Sequence, residues 1–182
     1  MSIPQIPLPG KIFLSILSSK WDLFWPDLLY SLEKKWSQAD YISELIPFTQ
    51  TKYYDKELGT PIFRKILSFS KLLPLDKLVD LKKMTNEFEQ KTSQQGQRIF
   101  NLDPGFITYE RLVLATGKNF THRIYLKDGI FADLTLIYTK GKWQTLPWTF
   151  PDYSTDLLQI HLTRIRNLYI QNIKSSLRRK KQ

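Results

Sequence analysis

The residues best suited to chemistry are a histidine, an aspartate and a threonine in the second half of the chain. His122 stands before one alternating run and Asp133 lies in the next, with Asp128-Gly129 between the two. This dipeptide predicts a type I′ hairpin, because both central residues of that turn adopt positive φ. The resulting register opposes Ile124 to Asp133. It also opposes His122 to Thr135, which places all three polar side chains on one face.

A carboxylate placed diagonally to an imidazole suggests general acid/base chemistry. Asp133 could orient or charge His122, directly or through water. The same pair could also hold a metal ion. The alternative is a satisfied polar pair at the end of a sheet. On the opposite face of the hairpin, Arg123 and Tyr125 would either bind an anion or simply be solvated.

A second carboxylate comes from the turn sequence Asn101-Leu102-Asp103-Pro104-Gly105, which is predicted to lie between a strand and a short helix. Ligand groups commonly gather where strands end, and helix N-termini favour anions. We therefore predict Asp103 as a catalytic or metal-binding residue and Asn101 as a ligand-binding residue. Together with Asp133, Asp103 would supply an oxygen-rich Mg²⁺ site. The alternative is a turn selected only for its Asp-Pro-Gly sequence.

Two further segments carry candidate ligand-binding groups. Ala115–Asn119 resembles the end of a phosphate loop but lacks both the glycine and the hydroxyl that the motif requires. Lys118 within it is still expected to bind negative charge. The stiff segment Pro147–Tyr153 contributes Trp148 and Asp152, and it either walls a pocket or caps the core.

The predicted site thus combines acid/base, metal-binding and ligand-binding groups. The catalytic candidates are His122, Asp133 and Asp103, and the metal candidates are Asp103 and Asp133. The ligand-binding candidates are Lys118, Arg123, Tyr125, Thr135, Trp148, Asp152 and Asn101. With two histidines and no cysteine in the chain, a multi-histidine zinc site and a thiolate metal site are excluded.

The composition predicts one globular domain whose positive charge is concentrated at one end. The 182 residues carry a formal net charge of +10, and seven Lys and Arg but no acid follow Asp156. This excess indicates a solvated helix end or an RNA contact. The lack of cysteine and of a membrane-spanning apolar run favours a cytoplasmic protein. We expect a single domain over residues 1–182, with an N-terminal extension at 1–10 and a basic flexible tail at 175–182.

The elements that must position these groups form a predicted α+β fold. Its core has the order βαββαβ, the ferredoxin-like pattern, and is followed by a short helix, a three-stranded antiparallel meander and a C-terminal helix. The core strands are predicted at Lys11–Ser18, Tyr41–Phe48, Ile62–Phe69 and Arg98–Leu102. Amphipathic helices are predicted to begin near Pro26, Pro74 and Ser154. The short helix is placed at Thr108–Thr116, the meander at Thr121–Pro147 and a candidate functional loop at Thr51–Thr60.

Five segments of the chain form a specific combination. They are Tyr54–Gly59, Thr85–Glu87, Asn101–Gly105, His122–Leu126 and Leu146–Tyr153. Together they resemble a bacterial family known as domain of unknown function 4416 (DUF4416), over about residues 10–172. Its members often carry the label GTP-binding protein, so the resemblance implies a nucleotide ligand. The family has no agreed catalytic residues, and its pattern has Glu where this chain has Asp133.

The leading hypothesis is a cytosolic protein that binds a small anionic, phosphate-bearing or nucleotide ligand, with Mg²⁺-assisted or acid/base chemistry as an extension. In it, Lys118 and Arg123 bind negative charge, and His122 acts as an acid/base group. Arg123 points away from His122 in the predicted register, so both reach one ligand only near a strand end or sheet edge. Two alternatives stay open: an RNA or ribonucleoprotein accessory factor using the basic C-terminal helix, and a structural partner-binding domain without a small ligand.

Overall fold

The computed structural model describes residues 1–179 and has an α+β architecture. The described strands are β1 Gly10–Ser18, β2 Ala39–Ile42, β3 Ile46–Pro47, β4 Phe63–Leu73, β5 Asn101–Ile107, β6 Arg111–Thr116, β7 Arg123–Lys127, β8 Ile130–Thr139 and β9 Lys142–Thr145. The helices are α1 Asp27–Lys35, α2 Asp55–Leu58, α3 Leu78–Lys91 and α4 Asp156–Arg179. Short 3₁₀ turns lie at Trp21–Leu23, Leu75–Lys77 and Pro151–Ser154.

All nine strands join one antiparallel sheet, which is larger than the sequence predicted. Its order is β2-β4-β1-β5-β6-β8-β7, with β3 added to β4 and β9 to β8. Helices α1 and α3 pack on one face, against residues such as Ile12 and Leu14, while α4 packs on the other, near Phe13. Burial on both faces explains why β1 is an uninterrupted apolar run rather than an alternating one.

The predicted amphipathic helices are confirmed as α1, α3 and α4. The apolar stripe predicted along α4 is buried from Leu158 to Ile173. Its N-terminal cap is Thr155 rather than Ser154, because the Thr155 hydroxyl accepts the N–H of Leu158 at 3.4 Å. Residues 175–179, predicted to begin a flexible tail, are the last turns of α4, and the rest of that predicted tail lies outside the described residues.

Two element predictions are wrong. The turn predicted at Asp103–Gly105, after a strand at Arg98–Leu102, lies within β5, and the predicted helix at Thr108–Thr116 is replaced by strand β6. In β6 the buried residues Leu112 and Leu114 are two apart, which is a strand period rather than a helical one. A Cβ on Gly105 would lie closer to the Val113 carbonyl oxygen than real Cβ atoms approach, so this glycine permits the close pairing of β5 with β6.

The predicted meander and its turns are confirmed, but the register of the first hairpin is not. Asp128 and Gly129 have φ of 53° and 74°, as a type I′ turn requires. A β-bulge at Leu126 then shifts the pairing by one residue. Asp133 consequently opposes Arg123, not Ile124.

Within the part of the chain that the structure describes, no helix is long and apolar enough to cross a membrane.

Candidate functional site

A cavity of about 810 Å³ opens where β5 and β6 separate. The two strands pair only from Gly105↔Leu114 to Ile107↔Leu112, so the first half of β5 has no β6 partner. β6 pairs with β8 along its whole length, from Arg111↔Ile137 to Thr116↔Phe131, so its end follows β8 and leaves β5. The cavity is therefore lined by the start of β5, the end of β6 and the segments that cross them, and its volume is typical of a small-molecule site.

Two buried charges on α3 satisfy the backbone where β5 has lost its partner strand. The Lys82 ammonium donates to the Leu102 carbonyl oxygen at 2.8 Å, and a Glu89 carboxylate oxygen accepts the Leu102 N–H at 2.5 Å. Burial raises the pKa of Glu89, although Lys82, the Leu102 N–H and Arg98 oppose that effect. Both groups thus have a structural function in addition to lining the cavity.

Arg98 ties the Thr51–Thr60 loop to the start of β5. Its guanidinium donates to both carboxylate oxygens of Glu57, at 2.6 and 2.7 Å, and to Glu89 at 3.1 Å and Asn101 Oδ1 at 2.8 Å. The hydrogen bonds with Glu57 raise the pKa of Arg98 and lower that of Glu57. Four of the five N–H donors of Arg98 are thus bonded to protein groups, so its main role is to brace the cavity wall.

Asp103 faces the cavity beside these groups. One of its oxygens accepts from Asn101 Nδ2 at 2.7 Å, and the other lies 3.6 Å from Lys82 Nζ. The side chain is 32% exposed, so it keeps acceptor capacity for a ligand. Its charge contributes, after burial, to raising the pKa of the cavity-lining Tyr54.

The bulged hairpin brings Asp133 to the cavity together with a cation. Arg123 Nε donates to Asp133 Oδ2 at 2.8 Å, and His122 Nε2 lies 3.2 Å from the same oxygen. Thr135 Oγ1 is 3.4 Å from the other oxygen, Oδ1. Asp133 and Arg123 line the cavity, whereas His122 and Thr135 do not.

His122 lies behind Asp133 in an aromatic sandwich. Its ring stacks on Trp148 with centroids 4.9 Å apart and an 8° interplanar angle, and Phe120 covers it edge-on at 5.5 Å. Trp148 is itself held by a 2.8 Å bond from Nε1 to the Leu134 carbonyl oxygen. The geometry fits a residue that positions Asp133 better than one that exchanges protons with a ligand in the cavity.

The most unusual cation of the site is Arg64, which the sequence reading missed. Its guanidinium lies between the rings of Phe48 and Tyr153, 5.1 and 5.0 Å from their centroids, and pairs through one nitrogen with Asp152. The residue is 4% exposed and lines the cavity. Its Nε and NH1 nitrogens have no hydrogen-bond partner among the described residues. Such nitrogens are costly to bury unless another group, such as a ligand oxygen, accepts from them.

Lys118 is a second cation of the cavity, and its charge is not balanced by a carboxylate of the described residues. Among the described residues it is the one basic side chain lining the cavity that has no carboxylate partner within 4.0 Å. Its ammonium instead donates to the Tyr53 hydroxyl at 2.8 Å and lies 4.7 Å from the centroid of that ring. This bond lowers the pKa of the exposed Tyr53 and links the Thr51–Thr60 loop to the β6–β7 connection.

The carboxylates of the predicted Mg²⁺ site are already accompanied by cations. Asp133 pairs with Arg123, and Asp103 lies near Lys82. Among residues 1–179 no group of three or more His, Asp or Glu side chains is arranged to hold a metal ion. Because both carboxylates are accompanied by cations while Lys118 has no carboxylate partner among the described residues, the arrangement favours an anionic ligand over a metal ion.

The structure brings six of the ten predicted site residues to the cavity. These are Asn101, Asp103, Lys118, Arg123, Asp133 and Asp152. His122, Thr135 and Trp148 form the layer behind them, and Tyr125 is exposed on β7, packing on Phe131. Sequence reasoning missed Arg64, Lys82, Glu89, Arg98, Tyr53 and Tyr54. A signal existed for the tyrosines, since they lie in the connection predicted to be a functional loop, but a single Arg within an apolar strand gave none.

The basic C-terminal helix is partly used for packing. Arg166 donates to the Tyr109 carbonyl oxygen at 2.8 Å and lies 3.6 Å above the centroid of the Tyr138 ring. It is therefore committed to the fold, which leaves fewer α4 bases for a nucleic acid. Lys180 and Lys181 lie outside the described residues.

Comparison with known proteins agrees with the motif-based expectation. The model of the family described as "Domain of unknown function (DUF4416)" matches residues 8–169, which include the whole cavity. No curated protein and no solved structure matches the chain. Since the match covers most of the 182 residues, the chain belongs to the DUF4416 family.

Proposed function

We propose that this protein binds a small anionic, phosphate-bearing ligand in the cavity between β5 and β6. The single observation that carries the proposal is Arg64, a buried guanidinium that lines the cavity with two unpartnered nitrogens. Guanidinium groups bind phosphate and carboxylate oxygens through paired N–H donors. A ligand oxygen would satisfy these nitrogens, which have no partner among the described residues, after a small movement of the side chains that cover them, because neither nitrogen is open to solvent in the structure.

The charge of the cavity supports an anion. Five basic and four acidic side chains of the described chain line it, and the basic excess falls on Lys118, which lacks a carboxylate partner. Partial neutralisation keeps the empty site stable while leaving it attractive to negative charge. The aromatic rings of Phe48, Tyr54 and Tyr153 also line it, so the ligand body meets apolar as well as polar surface.

The size of the cavity supports a ligand with an organic body. About 810 Å³ is far more than an inorganic phosphate fills and is in the range of nucleotide-sized or sugar-phosphate-sized sites. Asp103 would then accept a hydrogen bond from a ligand hydroxyl or amino group, since it retains exposed oxygen. In this proposal His122 is a positioning residue that holds Asp133, and Asp133 in turn holds Arg123 towards the ligand.

We also infer that the first half of the chain is a ferredoxin-like core. The order β2-β4-β1-β5, entirely antiparallel, supports this assignment, as does the packing of α1 and α3 on the same face. In this view β6 to β9 extend one edge of the core, and the cavity forms at the junction.

A thermal-shift screen over nucleotides including GTP, sugar phosphates, inorganic phosphate and carboxylates tests the proposed function. A compound present at 100 times its Kd would stabilise the protein by about 2.7 kcal/mol, which raises Tm by roughly 8 °C for a chain of this size. Arg64→Lys should reduce the shift because it loses the planar fork. The matched control Arg111→Lys changes an exposed arginine that bonds only to the neighbouring Glu110, and should leave the shift intact.

The screen is repeated on Asp133→Asn and His122→Ala. A compound that stabilises the wild-type protein and the Arg64 and Asp133 variants equally binds outside the cavity, and the site assignment is then wrong. If no compound in the panel raises Tm, the anionic-ligand proposal itself is rejected in favour of a structural role.

A further inference from the structure

We propose that the ligand of the cavity carries two separate anionic groups, one bound at Arg64 and the other at the Thr116–Lys118 loop with Arg123. This inference rests on the proposed function and adds the class of ligand: an organic bisphosphate, or a phosphate ester that also bears a carboxylate.

The two basic groups lie on opposite sides of the cavity. Arg64 belongs to β4, whereas Lys118 follows β6, and β1 and β5 lie between these two strands in the sheet. At about 4.8 Å per strand, the axes of β4 and β6 are roughly 14 Å apart even in a regular sheet. The two head groups are also held by different residues, the Arg64 guanidinium by Asp152, Phe48 and Tyr153, and the Lys118 ammonium by Tyr53. Neither turns towards the other without giving up these contacts, so we assign a separate ligand anion to each.

The Thr116–Lys118 loop is built to meet an anion although it is not a phosphate-loop motif. The Lys118 N–H is held by the Thr116 hydroxyl at 3.2 Å, and Arg123 NH1 donates to the Lys118 carbonyl oxygen at 3.0 Å. A Cβ placed on Gly117 would meet no atom within 4 Å, so the space above this residue is open. The loop therefore presents an unneutralised ammonium and a nearby guanidinium beside open space.

Tyr53 completes this second group. Its hydroxyl accepts from Lys118 Nζ at 2.8 Å, so its own proton remains available to a ligand oxygen. The residue is 66% exposed and lines the cavity. An anion at Lys118 would thus receive bonds from the Thr51–Thr60 loop and from the β6–β7 connection together.

Asp103 lies between the two anion-binding groups and disfavours a third anionic group of the ligand at that point. Its carboxylate is one third exposed, and it would repel negative charge while accepting from a hydroxyl. The ligand that fits this order has two anionic groups, separated by a part that bears a hydroxyl or amino group. A polyphosphate chain, which is charged along its whole length, fits poorly.

Isothermal titration calorimetry on matched pairs of ligands tests the inference. The pairs are fructose 6-phosphate with fructose 1,6-bisphosphate, and adenosine 5′-phosphate with adenosine 3′,5′-bisphosphate; inorganic phosphate and pyrophosphate form a third pair with adjacent charges. For at least one of the two organic pairs we expect the bisphosphate to bind about 10- to 100-fold more tightly, as one additional charge-assisted contact provides. Pyrophosphate should gain far less over phosphate.

Two variants locate the second anion. Lys118→Met should remove the preference for the bisphosphate and leave the affinity for the monophosphate almost unchanged. Lys142→Met, which changes an exposed lysine on β9 remote from the cavity, should keep the preference. Both positions are exposed, so neither variant is expected to impair folding.

The outcomes separate this inference from the proposed function. Binding of monophosphates that depends on Arg64, with no gain from a second phosphate, overturns the two-anion inference and leaves the proposed function standing. An equal loss of monophosphate and bisphosphate affinity in Lys118→Met also overturns it. Failure of every compound in all three pairs to bind rejects both.

Discussion

Arg64 provides the sharpest test of whether the cavity is built for a ligand, because its energetic balance can be predicted without knowing that ligand. The side chain is 4% exposed, its charge is balanced by Asp152, and two of its nitrogens are unpartnered among the described residues. If Arg64 were present to stabilise the fold, removing the ion pair should be costly. If it is present for a ligand, the empty protein should tolerate loss of the whole pair.

The expected magnitudes differ clearly between the single and the double substitution. Arg64→Met leaves the Asp152 charge buried without its partner, which costs about 3 to 5 kcal/mol. At about 3 °C per kcal/mol for a chain of this size, Tm falls by roughly 10 to 15 °C. Arg64→Met combined with Asp152→Asn removes both charges and the two unpartnered nitrogens, each of which costs about 1 to 3 kcal/mol. The double variant should therefore lie within about 1 kcal/mol of the wild-type protein.

The assay is urea denaturation at pH 7 without ligand, followed by tryptophan fluorescence. Arg98→Met combined with Glu57→Gln is the matched control, since Arg98 makes four hydrogen bonds and its loss also deprives Glu89 and Asn101 of a donor. The control pair should remain clearly destabilised. If the double variant at Arg64 and Asp152 is as unstable as Arg64→Met alone, Arg64 is a structural residue and is not present for a ligand.

Three further predictions concern the walls of the cavity. Burial raises the pKa of Glu89 above its ordinary 4.5. The contribution of this carboxyl group to stability is therefore complete below about pH 4.5 and is lost as the pH rises through the folded pKa. Glu89→Gln should remove this loss, so that the curve of unfolding free energy against pH becomes flatter above 4.5. Lys118→Met should raise the pKa of Tyr53 towards its ordinary 10.0. The Tyr53 transition is isolated by subtracting the phenolate absorbance titration of a Tyr53→Phe variant, both in the wild-type protein and in Lys118→Met. Gly105→Ala should destabilise the protein by about 1 to 3 kcal/mol in urea denaturation, because the added Cβ meets the Val113 carbonyl; an unchanged midpoint would show that β5 and β6 can move apart.

The sequence predicted the elements whose pattern is local. The periodicity of α3 and α4, the apolar run of β1 and the Asp128-Gly129 turn need no knowledge of distant residues. It failed at β6, where a short apolar stretch of six residues fits either a strand or a helix until its partners are known. Its pairing with β5 is a local hairpin, which was not recognised because a turn was predicted at Asp103–Gly105, whereas its pairing with β8 is non-local.

The sequence predicted where the candidate site lies but not how its residues interact. Asp133 and His122 do meet, yet the bulge at Leu126 places Arg123 beside them and so removes the conflict in the predicted register. A bulge of one residue leaves no clear mark in the sequence. Arg64 could not be foreseen for a different reason: its partner Asp152 is 88 positions away, and its aromatic neighbours come from two other segments.

The separation of β5 from β6 leaves the two halves of the sheet joined by few residue pairs. β5 and β6 share three residue pairs, against eight between β1 and β4 and six between β6 and β8. A molecule bound at once to Arg64 on one half and Lys118 on the other would act as a cross-link between them. Amide hydrogens of Gly105–Ile107 and Leu112–Leu114 should then exchange more slowly with solvent when the cavity is filled. The junction that creates the site would thus also report its occupancy.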